Sequence, residues 1–282
     1  MSDTPAAPAN LATGAVITGH TRHIPLIGHP IAQVKTPPRI NAWLAEAGHD
    51  AVMVPMDLAR GAVPAFLDIL RGSGNCLGCS VTVPHKQAAF AHVDTLSPRA
   101  QAVGAVNIIR RLPDGRLSGD MTDGAALVFA LESRGAQLRD AVVLVAGAGG
   151  GAGAAISHAL AEAGPARLIL IEPDAGRCAA LTASLAALHP DLAVEVGLPT
   201  AGQIDIAVNA SPLGMRPQDP LPYDPAWLRP GGLAADAVTS QKVTPVLQAA
   251  LDLGLRICTG VDMADAQLDF QMHHLGLAGA PA

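Results

Sequence analysis

A glycine-rich segment in the middle of the chain has the composition of a phosphate-binding loop. The sequence VVLVA at 142–146 runs into GAGGGA at 147–152, and a helical pattern follows directly. In such a motif the first glycine permits a tight turn, the second lets the backbone approach a pyrophosphate, and the small sixth residue, here Ala152, lets the helix pack against the strand. The pattern predicts a dinucleotide site at Gly147, Ala148, Gly149, Gly150 and Gly151.

A carboxylate stands at the end of the next predicted strand. Glu172 closes the run LILIE and is followed by PDAGR. A carboxylate at this point of a dinucleotide-binding fold accepts hydrogen bonds from the ribose hydroxyls and repels a 2′-phosphate. Glu172 therefore favours NAD over NADP as the cofactor, although Arg177 is a basic residue close by. A solvent-exposed glutamate without a role is the alternative.

Cys76 and Cys79 stand at a C-x-x-C spacing, which can serve redox chemistry or zinc binding. The chain holds four cysteines, the others being Cys178 and Cys258, and neither a second such pair nor a histidine pair at zinc-finger spacing follows. Small buried thiols are therefore the expected role of these residues, and no metal site is predicted.

Short β-like runs alternate with helical stretches along the chain, which is typical of an α/β fold. The predicted strands are at 24–27, 51–55, 78–83, 142–146, 168–171, 193–196, 204–209, 233–238 and 255–258, with a hairpin at 107–117. The predicted helices are at 37–48, 63–70, 123–134, 151–164, 175–188, 243–253 and 263–275. A further helix is expected to open at Pro84, because proline costs no hydrogen bond at a first helical position.

The length of 282 residues fits two domains with a cleft between them. We expect a disordered tail at 1–20, since this stretch is rich in Pro, Ala and Thr. A substrate-binding and catalytic α/β domain is predicted at 21–124, joined by the C-terminal helix at 261–282. A Rossmann-type dinucleotide-binding domain is predicted at 125–260.

The bulk composition argues against several classes of partner. A net charge of −6 and a pI near 5.9 leave no basic surplus for phosphates, and aromatic residues are too few for a base-stacking platform. No apolar run is long enough to cross a bilayer. We therefore expect a cytoplasmic protein that acts on a small molecule, without a nucleic-acid or membrane partner.

Six segments, in order, resemble those of the shikimate dehydrogenase family. They are GHPIAQVKTP at 28–37, SVTVPHK at 80–86, GAVNII at 104–109, GDMTDG at 119–124, NASPLGM at 209–215 and GVDMADAQ at 260–267. As a set these motifs are highly specific, and they span nearly the whole chain. The resemblance implies a reversible hydride transfer between a nicotinamide and a ring hydroxyl of shikimate or a related cyclic acid. A homodimer and a monomer both fit the family.

The resemblance also implies roles for individual residues. Lys86 and Asp123 match the catalytic pair, because an ammonium beside a carboxylate can hold the reacting oxygen and shuttle its proton. A surface lysine and a helix N-cap are the structural alternatives at these two positions. Asn107, Thr82 and Gln267 match substrate-binding positions. Cofactor-binding positions are matched by Asn209, Met215, Val238 and Gly260.

Five positions at the carboxylate end of the substrate site depart from the family pattern. Val34 and Thr36 replace two serines, Ser80 and Met121 each replace an asparagine, and Thr239 replaces a tyrosine. A pocket that exchanges such donors for Val and Met has lost polar partners for a carboxylate. The catalytic pair is thus intact while the carboxylate end is rebuilt. This leads to the hypothesis of a divergent paralogue that acts on shikimate, on a quinate-like acid or on a less polar hydroxylated ring.

Two other functions fit parts of the sequence. Folate-type methylene dehydrogenases share the two-domain layout and an important lysine, but they lack a TDG segment after GAVN. A non-catalytic sensor that binds NAD or a cyclic acid has no need of an acid–base pair, yet the altered carboxylate end keeps this function open. Turnover of any ring alcohol distinguishes the enzyme from the sensor.

Overall fold

The computed structural model describes residues 17–199, 201–216 and 218–281, and these residues fold into two α/β units, each built on a six-stranded sheet. Most of the tail predicted at 1–20 lies outside the described residues, and residues 17–20 are exposed. The α/β fold class with a Rossmann-type second unit is confirmed. The domain boundaries given above stay a prediction.

The sheet of the first unit is mixed. Its strands are β1 (Arg22–Gly28), β2 (Ala51–Asp57), β3 (Gly78–Val81), β4 (Thr95–Leu96), β5 (Ile108–Arg111) and β6 (Leu117–Asp120). Their order is β2-β1-β3-β5-β6-β4, and β5 runs antiparallel to both β3 and β6. Because of these directions, the end of β3, the start of β5 and the end of β6 meet at one edge of the sheet.

The sheet of the second unit is parallel throughout. Its strands are β7 (Val142–Ala146), β8 (Arg167–Ile171), β9 (Ala193–Val196), β10 (Ile204–Asn209), β11 (Leu228–Asp236) and β12 (Arg256–Cys258). The order β12-β11-β10-β7-β8-β9 is that of a Rossmann fold. Strands β7 to β9 are added toward one edge of the sheet, and strands β10 to β12 are added toward the other edge. The central strands are apolar and buried, as expected for a sheet covered by helices on both faces.

Helices cover both sheets, and one of them packs on the cores of both units. They are α1 (Thr36–Glu46), α2 (Val63–Gly72), α3 (Lys86–Phe90), α4 (Pro98–Val103), α5 (Asp123–Ser133), α6 (Gly151–Glu162), α7 (Ala175–Leu188), α8 (Pro245–Asp252) and α9 (Gly260–His274). Met263 near the start of α9 belongs to the apolar core of the second unit, whereas Met272 near its end belongs to a core cluster of the first. This helix therefore crosses the cleft.

The structure corrects the helix predicted to open at Pro84. The third strand ends at Val81 rather than at residue 83, and α3 begins only at Lys86, after a turn that contains a cis Val83–Pro84 bond. Pro84 is therefore not a first helical residue. Helix α4 was not predicted, although Ser97 caps its N-terminus and Pro98 opens it, because a helix of six residues is too short to show a periodic pattern.

A buried histidine on α6 makes the stability of the second unit depend on pH. His158 is 7% exposed, its Nε2 lies 3.2 Å from the Ser184 hydroxyl, and its Nδ1 has no hydrogen-bond partner among the described residues. Burial, with a smaller contribution from nearby His189, lowers the pKa of His158 from 6.5 to about 4. The unfolded chain therefore binds this proton more readily, so stability rises with pH between 4 and 6.5 and is lost as the pH falls through that window.

We expect His158→Leu to remove this dependence. Between pH 6.5 and pH 4, the unfolding free energy of the wild type should fall by about 3 kcal/mol more than that of the variant. Urea unfolding at several pH values measures the difference. Parallel pH profiles for the two proteins would contradict the assignment, whereas a uniform offset between them would report only a change in packing.

Candidate active site

A lysine and an aspartate lie in contact where the first unit faces the second. Lys86 Nζ donates to Asp123 Oδ2 at 2.5 Å, and the two side chains are 18% and 6% exposed. Lys86 opens α3 and Asp123 opens α5, so both stand on the first turn of a helix with a fixed backbone. The short distance and the low exposure make this a charge-assisted contact that water screens only in part.

Two amide side chains hold the second oxygen of the aspartate. Asn107 Nδ2 donates to Asp123 Oδ1 at 2.6 Å, and Gln267 Nε2 from α9 donates to the same atom. The Asn107 oxygen in turn accepts from the Thr122 N–H at 2.9 Å. Asn107 lies just before β5 and Thr122 just after β6, at the sheet edge where these ends meet. The carboxylate is therefore fixed in orientation by three side-chain donors.

The start of α5 is also fixed by close packing against the second unit. Asp123 is not the N-cap of this helix, since Thr122 holds that position and neither side chain makes a capping hydrogen bond. A Cβ on Gly124 would lie 2.1 Å from the carbonyl oxygen of Ala155 in α6. Only glycine lets the two helices approach this closely, so the glycine of TDG sets the distance between Asp123 and the dinucleotide-binding unit.

The glycine-rich loop has the shape of a phosphate cradle. Gly150 is the N-cap of α6 and Gly151 its first residue, while Gly147 and Gly149 come before them in the turn that leaves β7, with Ala148 fully buried between the two. A Cβ on Gly153 would lie 2.0 Å from the Gly147 carbonyl oxygen. Gly153, rather than the predicted Ala152, is therefore the small residue that lets helix and strand pack closely. The free N–H groups at this helix start fit a pyrophosphate.

A buried polar network lies at the carboxyl ends of β10 and β11. Asn209 Nδ2 donates to Asp236 Oδ1 at 2.9 Å, and Thr244 Oγ1 donates to Asp236 Oδ2 at 2.5 Å. Burial raises the pKa of Asp236, and the bonds from Thr244, from the Val238 N–H and from Asn209 oppose that shift. The network fixes the loops that follow these strands. The other predicted cofactor residues lie on or near these loops: Val238 is buried, Met215 is 52% exposed and Gly260 opens α9.

A cavity of about 580 Å³ adjoins the Lys86–Asp123 pair and lies between the two units. Of the residues predicted to bind substrate, Thr36, Thr239 and Gln267 line it. Gln267 connects the cavity to the pair, because its amide bonds Asp123. The structure thus brings both altered threonine positions to the same space as the matched glutamine.

The remaining predicted substrate residues are placed differently. Met121 is 1% exposed and belongs to the apolar core of the first unit, and Val34 packs against another core cluster of that unit. Ser80 is buried and its hydroxyl donates to the Asn107 carbonyl at 3.4 Å. Thr82 is half-buried at the end of β3. Neither Met121 nor Val34 is among the residues that line the cavity.

Several residues of this region were not predicted from the sequence. Lys35, Lys242 and Gln271 line the cavity, and Asp236 and Thr244 form the buried network described above. One signal was present in the sequence: the chain has only three lysines, and Lys35 and Lys242 are two of them. For Gln271 the signal was its spacing of one helical turn after Gln267.

The predictions about the cysteines, metal binding and membrane spans can be compared with the described residues. The four cysteines are buried and unpaired, as the sequence predicted, and burial raises the pKa of Cys79 well above its usual value. No group of three or more His, Cys, Asp or Glu residues in the described part of the chain is arranged to hold a metal ion. No helix in that part is long and apolar enough to span a membrane.

The molecule has the features of a two-domain dinucleotide-dependent dehydrogenase. These are a Rossmann-type sheet, a phosphate cradle and a lysine–aspartate pair in the adjoining cleft. A family model described as the shikimate dehydrogenase substrate binding domain matches residues 26–109. A relative from Rhodospirillum rubrum named Shikimate dehydrogenase (NADP(+)) is 40% identical over 256 residues, covering 88% of this chain and 89% of its own. The chain therefore belongs to the shikimate dehydrogenase family.

Two further comparisons agree with this membership. A relative from Rubrobacter xylanophilus with the same name is 40% identical over 248 residues, covering 86% of this chain and 87% of its own. The crystal structure of shikimate 5-dehydrogenase from Listeria monocytogenes in complex with shikimate and NAD has a TM-score of 0.86 and 26% identity, covering 94% of this chain and 95% of that one.

The prediction that NAD is the preferred cofactor is wrong, because the relatives at 40% identity are named for NADP(+). The structure supplies a physical reason. Glu172 Oε2 accepts from the Gly149 N–H at 2.8 Å and Oε1 from the Asp174 N–H at 3.0 Å, so this carboxylate closes the turn around the loop. Arg177 lies against Gly149 with a side chain that is 61% exposed, and it places a cation at the same point.

Proposed function

We propose that this protein catalyses reversible hydride transfer between NADP(H) and a ring hydroxyl of shikimate or a close cyclic relative. The contact between Lys86 and Asp123 beside the interdomain cavity carries this proposal. Dehydrogenation of an alcohol needs a group that takes up the hydroxyl proton and returns it in the reverse reaction, and such a pair supplies that group. The relatives' names and the family match support it. A pure sensor has no need of such a pair.

The dinucleotide, when bound, supplies or accepts the hydride. The residues of the chain move and hold the proton. In the reducing direction Lys86 Nζ donates a proton to the oxygen of the ketone as that oxygen gains negative charge, and in the oxidising direction it receives the proton of the hydroxyl. Asp123 accepts a hydrogen bond from that hydroxyl and keeps the ammonium in place. Asn107 and Gln267 hold the Asp123 carboxylate in one orientation.

We propose that the free backbone N–H groups at the start of α6 hold the pyrophosphate and that Arg177 binds the 2′-phosphate of NADP. A guanidinium makes strong bidentate contacts with phosphate oxygens. Its present partner is a weak one, since Arg177 Nε lies 3.4 Å from Asp174 Oδ2 and both side chains are exposed. A Cβ on Gly151, at the start of α6, would meet no protein atom within 4 Å, so this helix start is open to a ligand.

Arg177→Gln should lower kcat/KM for NADP by about tenfold or more and change kcat/KM for NAD by less than about threefold, because only NADP carries the 2′-phosphate. Shikimate oxidation followed by absorbance at the nicotinamide measures both constants. Arg167→Gln is the matched control: this residue lies at the amino end of β8, at the opposite edge of the sheet, and pairs with Glu195. A wild type that prefers NAD, or equal losses with both cofactors, would refute the role of Arg177.

The substrate is tested with the same assay. We expect the wild type to oxidise shikimate, quinate or both, and to lose that activity in Lys86→Ala. Binding of NADP without turnover of either acid would overturn this choice of substrate and leave the sensor and a dehydrogenase for another ring. Turnover of either acid therefore excludes the sensor, and its absence requires the assay to be repeated with other hydroxylated rings.

A further inference from the structure

All lysines of the chain stand around the interdomain cavity. The chain has 18 Lys and Arg residues, and only Lys35, Lys86 and Lys242 are lysines. Lys35 and Lys242 line the cavity together with Gln267, whose amide bonds the aspartate that pairs with Lys86. The three ammonium groups of the chain are therefore concentrated at or beside this cleft, where they can contact an anionic ligand.

Two of the cations at the cavity are neutralised by carboxylates. Lys86 pairs with Asp123, and Arg39 on α1 pairs with Asp265 on α9. The first pair joins α3 to α5, and the second joins α1 to α9. Neither cation has its full charge available for an anionic ligand.

The other two cations differ in what they contact. Lys35 Nζ donates to the carbonyl oxygens of Thr239 and Ser240 at 3.3 and 3.2 Å, so it spans the cleft and is held by backbone. Lys242 is exposed at the wall of the cavity and makes no ion pair or hydrogen bond to another described residue. Lys242 is therefore the ammonium whose charge is available to a ligand.

A buried amide beside the same cavity lacks a partner. Gln271 is 3% exposed and lines the cavity one helical turn beyond Gln267, and its Oε1 makes no hydrogen bond to any described residue. An unsatisfied buried amide costs free energy, so a ligand that bonds to it is favoured. A ligand hydroxyl suits this atom, because it can donate a hydrogen bond to the amide oxygen, whereas a carboxylate cannot.

We propose that Lys242 and Gln271 bind the carboxylate-bearing end of the substrate, in place of the serine and tyrosine hydroxyls that the family uses there. The proposal rests on the proposed dehydrogenase function. The Lys242 ammonium supplies the charge that Val34 and Thr239 do not, and the Gln271 amide bonds a ring hydroxyl close to the acid. The substrate class that follows is an anionic cyclic hydroxy acid and not a neutral ring alcohol.

The test compares an acid with its uncharged ester. KM and kcat are measured for shikimate, quinate and methyl shikimate with the wild type, Lys242→Gln and Lys242→Arg. Lys242→Gln should raise KM for the two acids by about tenfold with kcat within about threefold, and should leave KM for methyl shikimate within about twofold. Lys242→Arg should restore most of the affinity for the acids. Gln271→Leu should raise KM for acid and ester alike, because the hydroxyl is present in both.

A control variant separates a local contact from a change in net charge. Arg22→Gln removes one positive charge at the amino end of β1, the end of the strand opposite to Gly28, and Arg22 is exposed. Its KM values should match those of the wild type. Equal KM for the acids in wild type and Lys242→Gln, or equal increases for acid and ester, would overturn the role of Lys242 while turnover by the wild type would leave the dehydrogenase function standing.

Absence of turnover by the wild type would overturn the proposed function, and binding then decides the subsite. Titration calorimetry of shikimate into the wild type, Lys242→Gln and Arg22→Gln needs no reaction. A loss of affinity confined to Lys242→Gln would support the subsite in a binding protein. Equal affinities in the three proteins, or no binding by any of them, would overturn it.

Discussion

Lys86→Ala is expected to lower kcat by a factor of about 10²–10⁴, which is the range for loss of a positioned acid–base group. The reason is the geometry of the pair: Lys86 Nζ lies 2.5 Å from Asp123 Oδ2 in a position that is largely shielded from water. KM for NADP should stay within about threefold, because Lys86 is not part of the glycine-rich loop. Steady-state kinetics of shikimate oxidation by wild type and variant provide the comparison.

Asp123→Asn gives an independent measure of the same pair, and it should lower kcat by at least about 10²-fold. Asp114→Asn is the matched control, since it makes the same change in charge at an exposed turn between β5 and β6 and should leave kcat unaltered. Thermal unfolding of each variant checks that the fold is intact. Retention of a third or more of kcat in Asp123→Asn would exclude the acid–base role, provided that the protein remains folded.

Gly153→Ala is expected to raise KM for NADP by at least about tenfold and to lower the free energy of unfolding by about 1–3 kcal/mol. The added Cβ would lie 2.0 Å from the Gly147 carbonyl oxygen and 2.8 Å from the Ala148 carbonyl oxygen. These contacts are backbone atoms that no rotamer change can move, so the loop itself must shift. Its N–H groups then lose their alignment with the pyrophosphate.

Gly72→Ala is the control for that substitution. Gly72 is the last residue of α2, and a Cβ there would meet no atom within 4 Å. The expected result is kinetics and stability close to those of the wild type. Cofactor binding by calorimetry and urea unfolding measure both quantities. If Gly153→Ala bound NADP as tightly as Gly72→Ala does, the loop would not be the pyrophosphate site.

Much of the second unit could be predicted from the sequence. The strand pattern at 142–146, the glycine-rich loop and the apolar runs that follow give a parallel sheet with its cradle at the right place, because a buried parallel strand and a tight turn each need particular residue types. The error at the cofactor had a different origin. A glutamate at position 172 can face a ribose or cap its own turn, and the one-dimensional pattern does not distinguish these.

Around the cavity, it was harder to predict from the sequence which single residues line the site. Val34 and Met121 were grouped with the substrate site because they stand within family motifs, yet both pack into apolar cores. Conversely, Lys242 and Gln271 lie in no motif: Gln271 reaches the cavity because α9 crosses from one unit to the other, and Lys242 because the segment after β11 forms another wall of the cavity. Which residues share a cavity depends on the packing of distant elements, and local spacing carries little information about that.

The contact that Lys35 makes across the cleft affects the free energy needed to open the cleft. Its ammonium belongs to the first unit but is held by two backbone oxygens of the segment that follows β11. Widening the cleft therefore breaks two charge-assisted hydrogen bonds, and narrowing it restores them. The two bonds therefore favour the narrow form, and their loss is part of the free-energy difference between the narrow and the wide cleft.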